Sequence, residues 1–289
     1  MDSIIFDILV GVTQGGLYFL TAAGLVLIMG ITRVVNFAHG HFYMLGAYVA
    51  WMIGTAIGSN WGYWAGCLGG AISAGLVGIL VEVFFLRSLY KTEPLFQMLL
   101  LFGLLFLIEG VVFLLWGSSV LRISIPSYLM GNMSIGNMTF PYYLLFVLGA
   151  SIALTLLLWL FLFKTDLGKN CRAAGMDTET AGALGINVPM VYTSLFTLGA
   201  MLAGAAGGLA TGMKGVSPLM GGQMILNALI VAVIGGVGNL LGALMAAIIL
   251  GITETIIGHY LQMFGMAVPF VLMAVILVIR PYGLLGRPE

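Results

Sequence analysis

The feature that most constrains this chain is a series of apolar runs long enough to cross a bilayer. A helix needs about 20 such residues to span the hydrocarbon. Inside lipid, backbone N–H and C=O groups must be paired within the protein, which leaves helices as the spanning element for runs of this kind. The runs lie near 8–32, 42–58, 61–81, 95–116, 141–163, 190–213, 222–257 and 263–280. The 222–257 run is too long for one untilted span and is interrupted by GGVGNLLG at 235–242. It is either two short spans or a re-entrant piece followed by a span. The expected fold is an all-α polytopic membrane bundle of eight or nine spans with broken or re-entrant helices, forming one transmembrane domain over 1–289.

Composition agrees. Apolar residues make up 61% and charged residues 7%, against roughly 25% charged in soluble chains. The 42 glycines lie inside the apolar runs, as in helices that pack closely or are interrupted. Ten Lys and Arg balance ten Asp and Glu, so charge gives no argument for a nucleic-acid partner. The N-terminal MDSIIFDILVGVTQGG lacks a positively charged leader region and reads as an uncleaved first span. Cys67 and Cys171 imply no disulfide framework. No GxxxxGK[ST] occurs, so phosphate binding in the P-loop manner is not expected and the chain reads as a non-catalytic component.

Lys and Arg in short loops set orientation. Arg87 and Lys91 mark one loop, Lys164, Lys169 and Arg172 a second, and Arg280 and Arg287 the C-terminus. The N-terminus has none, and the connection 117–140 has only Arg122. All three basic regions fall on one side if 222–257 crosses twice, which favours nine spans with the N-terminus outside and the C-terminus in the cytoplasm. The connection 117–140, rich in Ser, Asn and Gly, is then the main outer surface.

One polar island interrupts this pattern, RVVNFAHGHFYMLGAYVAW at 33–51. Laid over a later part of the same chain, it aligns with KGVSPLMGGQMILNALIVA, which begins at Lys214. Arg33 meets Lys214, Asn36 meets Ser217, Gly40 meets Gly221, and Met44 meets Ile225. The preceding spans run in opposite directions, which is what an inverted repeat leaves, and such repeats place the substrate path at their interface. Asn36 and Ser217 read as N-caps of the helices that follow, with Pro218 at the first helical position. Exposed helix N-termini favour carboxylates. The expected path residues are Asn36, His39, Gly40, His41, Phe42, Tyr43, Met44, Ser217, Gly221, Gly222 and Asn227. His39 and His41 lack a further Cys, Asp or Glu at useful spacing, so no metal site and no cofactor are expected.

The segment 164–189, KTDLGKNCRAAGMDTETAGALGINVP, is the most polar in the chain. Over 178–185 it reads as a short helix with Asp177 as N-cap, Glu179 in the first turn and Gly185 as stop. It is either a solvated turn or a docking helix for a cytoplasmic partner.

These motifs resemble the permease subunit of bacterial ATP-binding-cassette importers for branched-chain amino acids. The resemblance rests on VVNFAHGHFYMLGAYVA at 34–50, LGKNCRAAGMDTETAGALGINVPMV at 167–191, VIGGVGNLLGALMAAIILGITE at 233–254 and the tail PYGLLGRPE. It implies a multi-pass protein of the bacterial inner membrane. The implied partners are a second permease subunit (a copy or a paralogue), two ATP-binding subunits and a periplasmic substrate-binding protein. Asp177, Glu179, Ala181, Gly182, Leu184 and Gly185 then belong to the helix that couples to the ATPase, although Thr180 replaces the usual Ala. His41 departs from the family's usual acidic residue, Asn239 from a Gly-Ser pattern, and Glu109 from a neutral polar residue. Leucine, isoleucine and valine therefore compete as cargo with another amino acid, an amide such as urea, or an apolar organic acid. The rival reading is a proton- or sodium-coupled secondary transporter, since intramembrane carboxylates are functional by default and the chain has Glu82, Glu109 and Glu254. Glu82 reads as a structural partner of Arg87. Glu109 and Glu254 read as helix-packing hydrogen bonds or as relays.

Overall fold

The computed structural model describes residues 2–32, 34–90, 92–135 and 138–286. Arg33, Lys91 and Arg287, which enter the charge reading above, lie outside the described residues.

The apolar runs form helices at the places their lengths predict. Helix α1 spans Asp2–Thr32, α2 His39–Ile57 and α3 Asn60–Leu80. Helix α3 continues through a π turn at Val81–Leu86 and a 3-10 turn at Arg87–Leu89. Then come α4 (Pro94–Trp116), α5 (Tyr142–Lys164), α6 (Asp166–Met176), α7 (Thr178–Ala183), α8 (Val188–Ala210), α9 (Met220–Gly235), α10 (Leu240–Tyr260) and α11 (Val268–Ile279). Prolines open α4, α8 and α11, where a missing N–H costs nothing. Gly58 stops α2 in the left-handed region, at φ 64°.

Six helices are long and apolar enough to cross a membrane among the described residues: Ile4–Thr32, Asn60–Leu89, Pro94–Trp116, Tyr142–Lys164, Val188–Ala210 and Leu240–Tyr260. This is fewer than the eight or nine read from apolar runs. The run 222–257 divides as expected, but α9 and α11 are only 16 and 12 residues long, and the first turn of α2 carries two histidines.

Two corrections concern the polar segments. The connection 117–140 is not simply loop. Strands β1 (Asn132–Ile135) and β2 (Met138–Pro141) pair antiparallel, with Asn132 opposite Pro141 and Ser134 opposite Thr139, a small hairpin on an otherwise all-helical architecture. The segment 164–189 holds two helices rather than one. Helix α6 was hidden by its polarity, although its start is signalled by Thr165, whose hydroxyl accepts the Gly168 N–H at 3.0 Å.

In lipid, helices gain little from hiding apolar side chains from one another, so small residues and close backbone packing carry association. Helix α8 is the hub. Its buried face includes Gly199, Ala200, Ala203, Gly204, Ala206, Gly207 and Gly208, and it packs against α1, α2 and α3. At Gly204 three helices meet, since a Cβ there would lie 2.8 Å from the Gly70 carbonyl oxygen of α3, and one on Gly46 of α2 would lie 2.7 Å from the Gly204 carbonyl carbon. Helix α1 packs along α10, where a Cβ on Gly15 would lie 2.9 Å from the Ile248 Cα. Helices α4 and α5 lie outside this core with Phe102, Phe106, Leu107, Leu114, Leu156 and Leu157 exposed. Such faces suit lipid or a second membrane subunit.

The bundle has two distinct ends. At one, the tail 282–286 folds over the α9–α10 turn, where Leu284 N–H donates to Ile234 O at 2.7 Å and Asn239 Nδ2 to Leu285 O at 2.8 Å. Gly30 of α1 approaches Gly238 of that turn, and α6 packs on the ends of α1 and α8. At the other end, Trp51 Nε1 donates to Arg122 O at 3.2 Å, Leu121 pairs with Val216, and Phe6 stacks on Phe140.

Candidate functional site

The polar island places α2 so that its first turn sits inside the bundle. The island carries the chain back from the end of α1, and α2 begins beside the middle of α1, where His39 Nε2 donates to Thr21 O at 3.0 Å. Helix α9 also begins in the interior, and the two first turns cross. A Cβ on Gly40 would lie 2.6 Å from Ile225 N, and one on Gly221 would lie 3.2 Å from Met44 Cβ.

Neither expected N-cap caps its helix directly. Ala38 occupies the N-cap position of α2 and Leu219 that of α9. Asn36 Oδ1 instead accepts Ala38 N–H at 3.1 Å, a turn two residues long that precedes the helix. Short Asn side chains favour such turns. Pro218 likewise precedes α9 rather than opening it. In both places the carbonyl three residues before the helix accepts its first N–H, His39 to Asn36 and Met220 to Ser217, each at 3.2 Å.

Burial is the second feature of this junction. His39, His41, Phe42 and Met44 are fully buried, and Asn36 and Tyr43 nearly so. Asn36 Nδ2, His39 Nδ1 and His41 Nδ1 are buried without a hydrogen-bond partner among the described residues. Buried polar atoms left unpaired are costly and call for a reason. Phe42 packs edge-on against Phe196 at 5.9 Å. His41 Nε2 lies 3.4 Å from Glu109 Oε2 of α4, the cationic-capable partner for Glu109 that sequence alone did not supply. Gly222 has no neighbour where a Cβ would stand, and Asn227 is half-buried on α9. Neither is drawn into the crossing.

The second region is the α6–α7 platform. Asp177 is the N-cap of α7, with Oδ1 accepting from Glu179 N–H at 2.9 Å and Thr180 N–H at 3.2 Å, and Oδ2 accepting the Thr180 hydroxyl. That hydroxyl and the two N–H groups hold the Asp177 carboxyl below its ordinary value. Gly185 ends the helix with φ 88°, a conformation that favours glycine. Ala181 is buried with Cys171, Ala174, Val191 and Leu195, and Ile31 of α1 packs on them. The platform is thus seated on the bundle, while Glu179, Gly182 and Leu184 face outward. Met176 and Leu184 are 90% and 79% exposed.

Beside the platform, a groove of about 650 Å³ opens among α3, α5 and α8, lined by Arg87, Phe161, Asn187, Thr193, Ser194 and Met201. Next to it, Glu82 is fully buried. Arg87 donates to Glu82 Oε2 at 3.0 Å, and the Thr193 hydroxyl does so at 2.7 Å. The structural pairing of Glu82 with Arg87 is as expected, but Thr193 comes from far along the chain. The π turn adds a residue per turn and swings Glu82 toward α8, and no sequence pattern announces it.

This arrangement defines a multi-pass membrane protein with interrupted helices in its interior and a short helical platform packed on one end. The family model described as branched-chain amino acid transport system / permease component matches residues 7–279. The high-affinity branched-chain amino acid transport system permease protein LivH of Escherichia coli (strain K12) is 32% identical, over 96% of this chain and 94% of its own. BraD of Pseudomonas aeruginosa, of the same description, is 29% identical over 96% and 94%. The PsaBC structure from Streptococcus pneumoniae, in complex with Fab, aligns at 16% identity with a TM-score of 0.47, over 96% of this chain and 89% of that one. The chain belongs to the family of branched-chain amino acid transport system permease components.

Proposed function

We propose that this chain is the permease subunit of an ATP-binding-cassette importer that moves branched-chain amino acids, or a related small amino acid, amide or organic acid, inward across a bacterial inner membrane. The observation that carries the reading is the match of the family model to residues 7–279, joined to a platform at 177–185 built for docking. The partners are a second permease, two ATP-binding subunits and a periplasmic binding protein. The binding protein docks on 117–140, and the ATPases push on the α7 platform through Asp177, Glu179, Ala181, Gly182, Leu184 and Gly185.

Nine crossings and an inverted repeat complete the proposal, with the short helices α2 and α9 finishing their crossings through 34–38 and 211–219. Several observations support the repeat. Helices α2 and α9 begin at His39 and Met220, which are equivalent positions in the alignment of Arg33 with Lys214, and they do so behind equivalent turns. Gly40 meets Ile225 and Met44 meets Gly221, reciprocal contacts between positions related by the same alignment. Such reciprocity is what a two-fold relation produces. Gly54 meets Gly62 where α2 turns into α3, and their counterparts Gly235 and Ala243 also meet. Five described Lys and Arg residues (Arg87, Lys164, Lys169, Arg172, Arg280) belong to the platform end and two (Arg122, Lys214) to the other. That bias favours a cytoplasmic platform, an outer N-terminus and a cytoplasmic C-terminus. Cargo passes the junction of α2 and α9 when ATP-driven closure parts their first turns. It is guided there by Asn36, His39, Gly40, His41, Phe42, Tyr43 and Met44 on one side and by Ser217, Gly221, Gly222 and Asn227 on the other.

Reconstitution tests this. Proteoliposomes with the chain and all partners should take up radiolabelled leucine only with ATP. Uptake by the chain alone, driven by a proton or sodium gradient, would refute the importer reading. Gly182→Arg, which points a long cation from the exposed face of α7, should abolish uptake and binding-protein-stimulated ATP hydrolysis while the chain still inserts. Normal coupling in that variant would remove the platform from the mechanism.

A further inference from the structure

The face that α4 turns toward α2 and the turn before it carries one ionisable layer between two aromatic ones. Phe102, Glu109 and Trp116 stand seven residues apart on α4 and so share a face. Phe102 packs edge-on against Phe37 at 5.4 Å, and Trp116 packs against Tyr48 of α2 at 5.1 Å. Between these layers, Glu109 Oε2 lies 3.4 Å from His41 Nε2. His41 and Tyr48 are themselves seven residues apart on α2, so the seam keeps one register along both helices.

The two ionisable partners are not equally enclosed. The His41 side chain is fully buried, whereas that of Glu109 is 32% exposed. Charge-assisted N–H to carboxylate bonds settle at about 2.7–2.9 Å, so His41 holds the carboxylate loosely. Among the described residues no other hydrogen bond or ion pair reaches Glu109, which leaves Oε1 open. Beside it there is room, since nothing lies within 4 Å of the Cβ position of Gly110. Helix α4 is long and apolar enough to cross the membrane, and Glu109 stands two turns before its end. Lipid tails offer no donor there, so an open carboxylate oxygen is costly unless something else supplies one.

The surroundings fit a passing solute. A Cβ on Gly221 would lie 3.1 Å from His41 Cδ2 and 3.2 Å from its Nε2. The imidazole that touches Glu109 therefore also lies against the first turn of α9, at the crossing. The α2 side of the seam is incomplete as well, because His41 Nδ1 and Tyr48 Oη are buried without a partner. A seam built only for packing pairs its polar atoms. Aromatic rings on both sides of one carboxylate suit a compact cation attached to an apolar body, since rings attract cations and cover hydrocarbon.

We propose that Glu109, with His41 as its positioning residue, binds the ammonium group of an α-amino acid at the α2–α4 seam beside the crossing, with Phe102 and Trp116 bounding the site. The proposal rests on the importer reading and adds α4 to a path formed by α2 and α9.

The test uses the complete importer in proteoliposomes with radiolabelled leucine, in wild type and in Glu109→Gln, Glu109→Asp and His41→Leu. Glu109→Gln removes the charge-assisted contact and should lower leucine moved per ATP by about tenfold or more, while binding-protein-stimulated ATP hydrolysis continues. Glu109→Asp keeps the charge and should recover a measurable part of that loss. His41→Leu should lower the ratio less, and should add little when combined with Glu109→Gln, because the imidazole acts through the carboxylate. Additive losses in the double variant would remove His41 from the positioning role. Unchanged uptake in Glu109→Gln, or equal losses in Glu109→Gln and Glu109→Asp, overturns the site. Failure of Glu109→Gln to assemble with the second permease also overturns it, by making the carboxylate a subunit contact. If the wild-type importer does not move leucine with ATP, the importer reading itself has failed, and the site with it.

Discussion

Gly204→Ala isolates the forces that hold the bundle together. The new methyl would stand 2.5 Å from Ala74 Cβ and 2.8 Å from the Gly70 carbonyl oxygen, where carbon contacts settle at about 3.5–4.0 Å. None of these atoms can rotate away, so α3 and α8 must part by about 1 Å. Retreat is blocked on the other side by Gly46 of α2, whose own Cβ position is 2.7 Å from the Gly204 carbonyl carbon. Overpacking of this kind costs about 1–3 kcal/mol. At about 2–4 °C per kcal/mol for a chain of this order, the melting temperature should fall by roughly 2–12 °C. Gly110→Ala on α4 is the matched control, because nothing lies within 4 Å of its Cβ position. There, alanine should gain helix propensity, about 0.8–1.0 kcal/mol, and melt no lower than wild type. The assay is thermal unfolding of the purified subunit in detergent, followed by size-exclusion fluorescence. If Gly204→Ala melts no lower than Gly110→Ala, the three-helix contact does not carry the packing assigned to it.

Burial makes the Glu82–Arg87 pair unequal, since the glutamate is fully buried and the arginine side chain is 41% exposed. Arg87→Met strands a buried anion and should cost about 3–5 kcal/mol, whereas Glu82→Gln leaves a cation that water can reach and should cost less. Equal melting temperatures for the two variants would refute this asymmetry. Cys171 is only 3% exposed, and burial pushes its thiol up to about 11. In a Cys67→Ser background, maleimide should label it slowly at neutral pH, faster as pH rises toward that value, and rapidly after unfolding. Rapid labelling of the native protein at neutral pH would mean that α6 does not pack on the bundle.

Sequence alone was sufficient for whatever depends on local chemistry repeated over many residues. Runs of apolar residues place the helices, because a backbone in lipid has few other ways to pair its polar groups. The cap at Asp177 and the stop at Gly185 were also legible, since each is a bond between near neighbours in the chain. So was the polar break at 33–38, together with the break that precedes α9.

Sequence failed where the outcome depends on residues far apart. The N-caps expected at Asn36 and Ser217 are turns that precede the helices, because the helix starts are set by the crossing of α2 and α9. Helix α6 is too polar for an apolar pattern and is stabilised by Ile31 and Leu195 from other helices. The π turn at 81–86 has no local mark, and its purpose is visible only once Thr193 arrives at Glu82. Partners such as His41 for Glu109 and Tyr18 for Glu254 lie 68 and 236 residues apart. Composition tells a chain to enter the membrane, and the short-range pattern says where each helix begins and ends to within a few residues. Which buried polar atoms meet is decided only when close-packed glycines let the helices approach, because those contacts exist in no single segment.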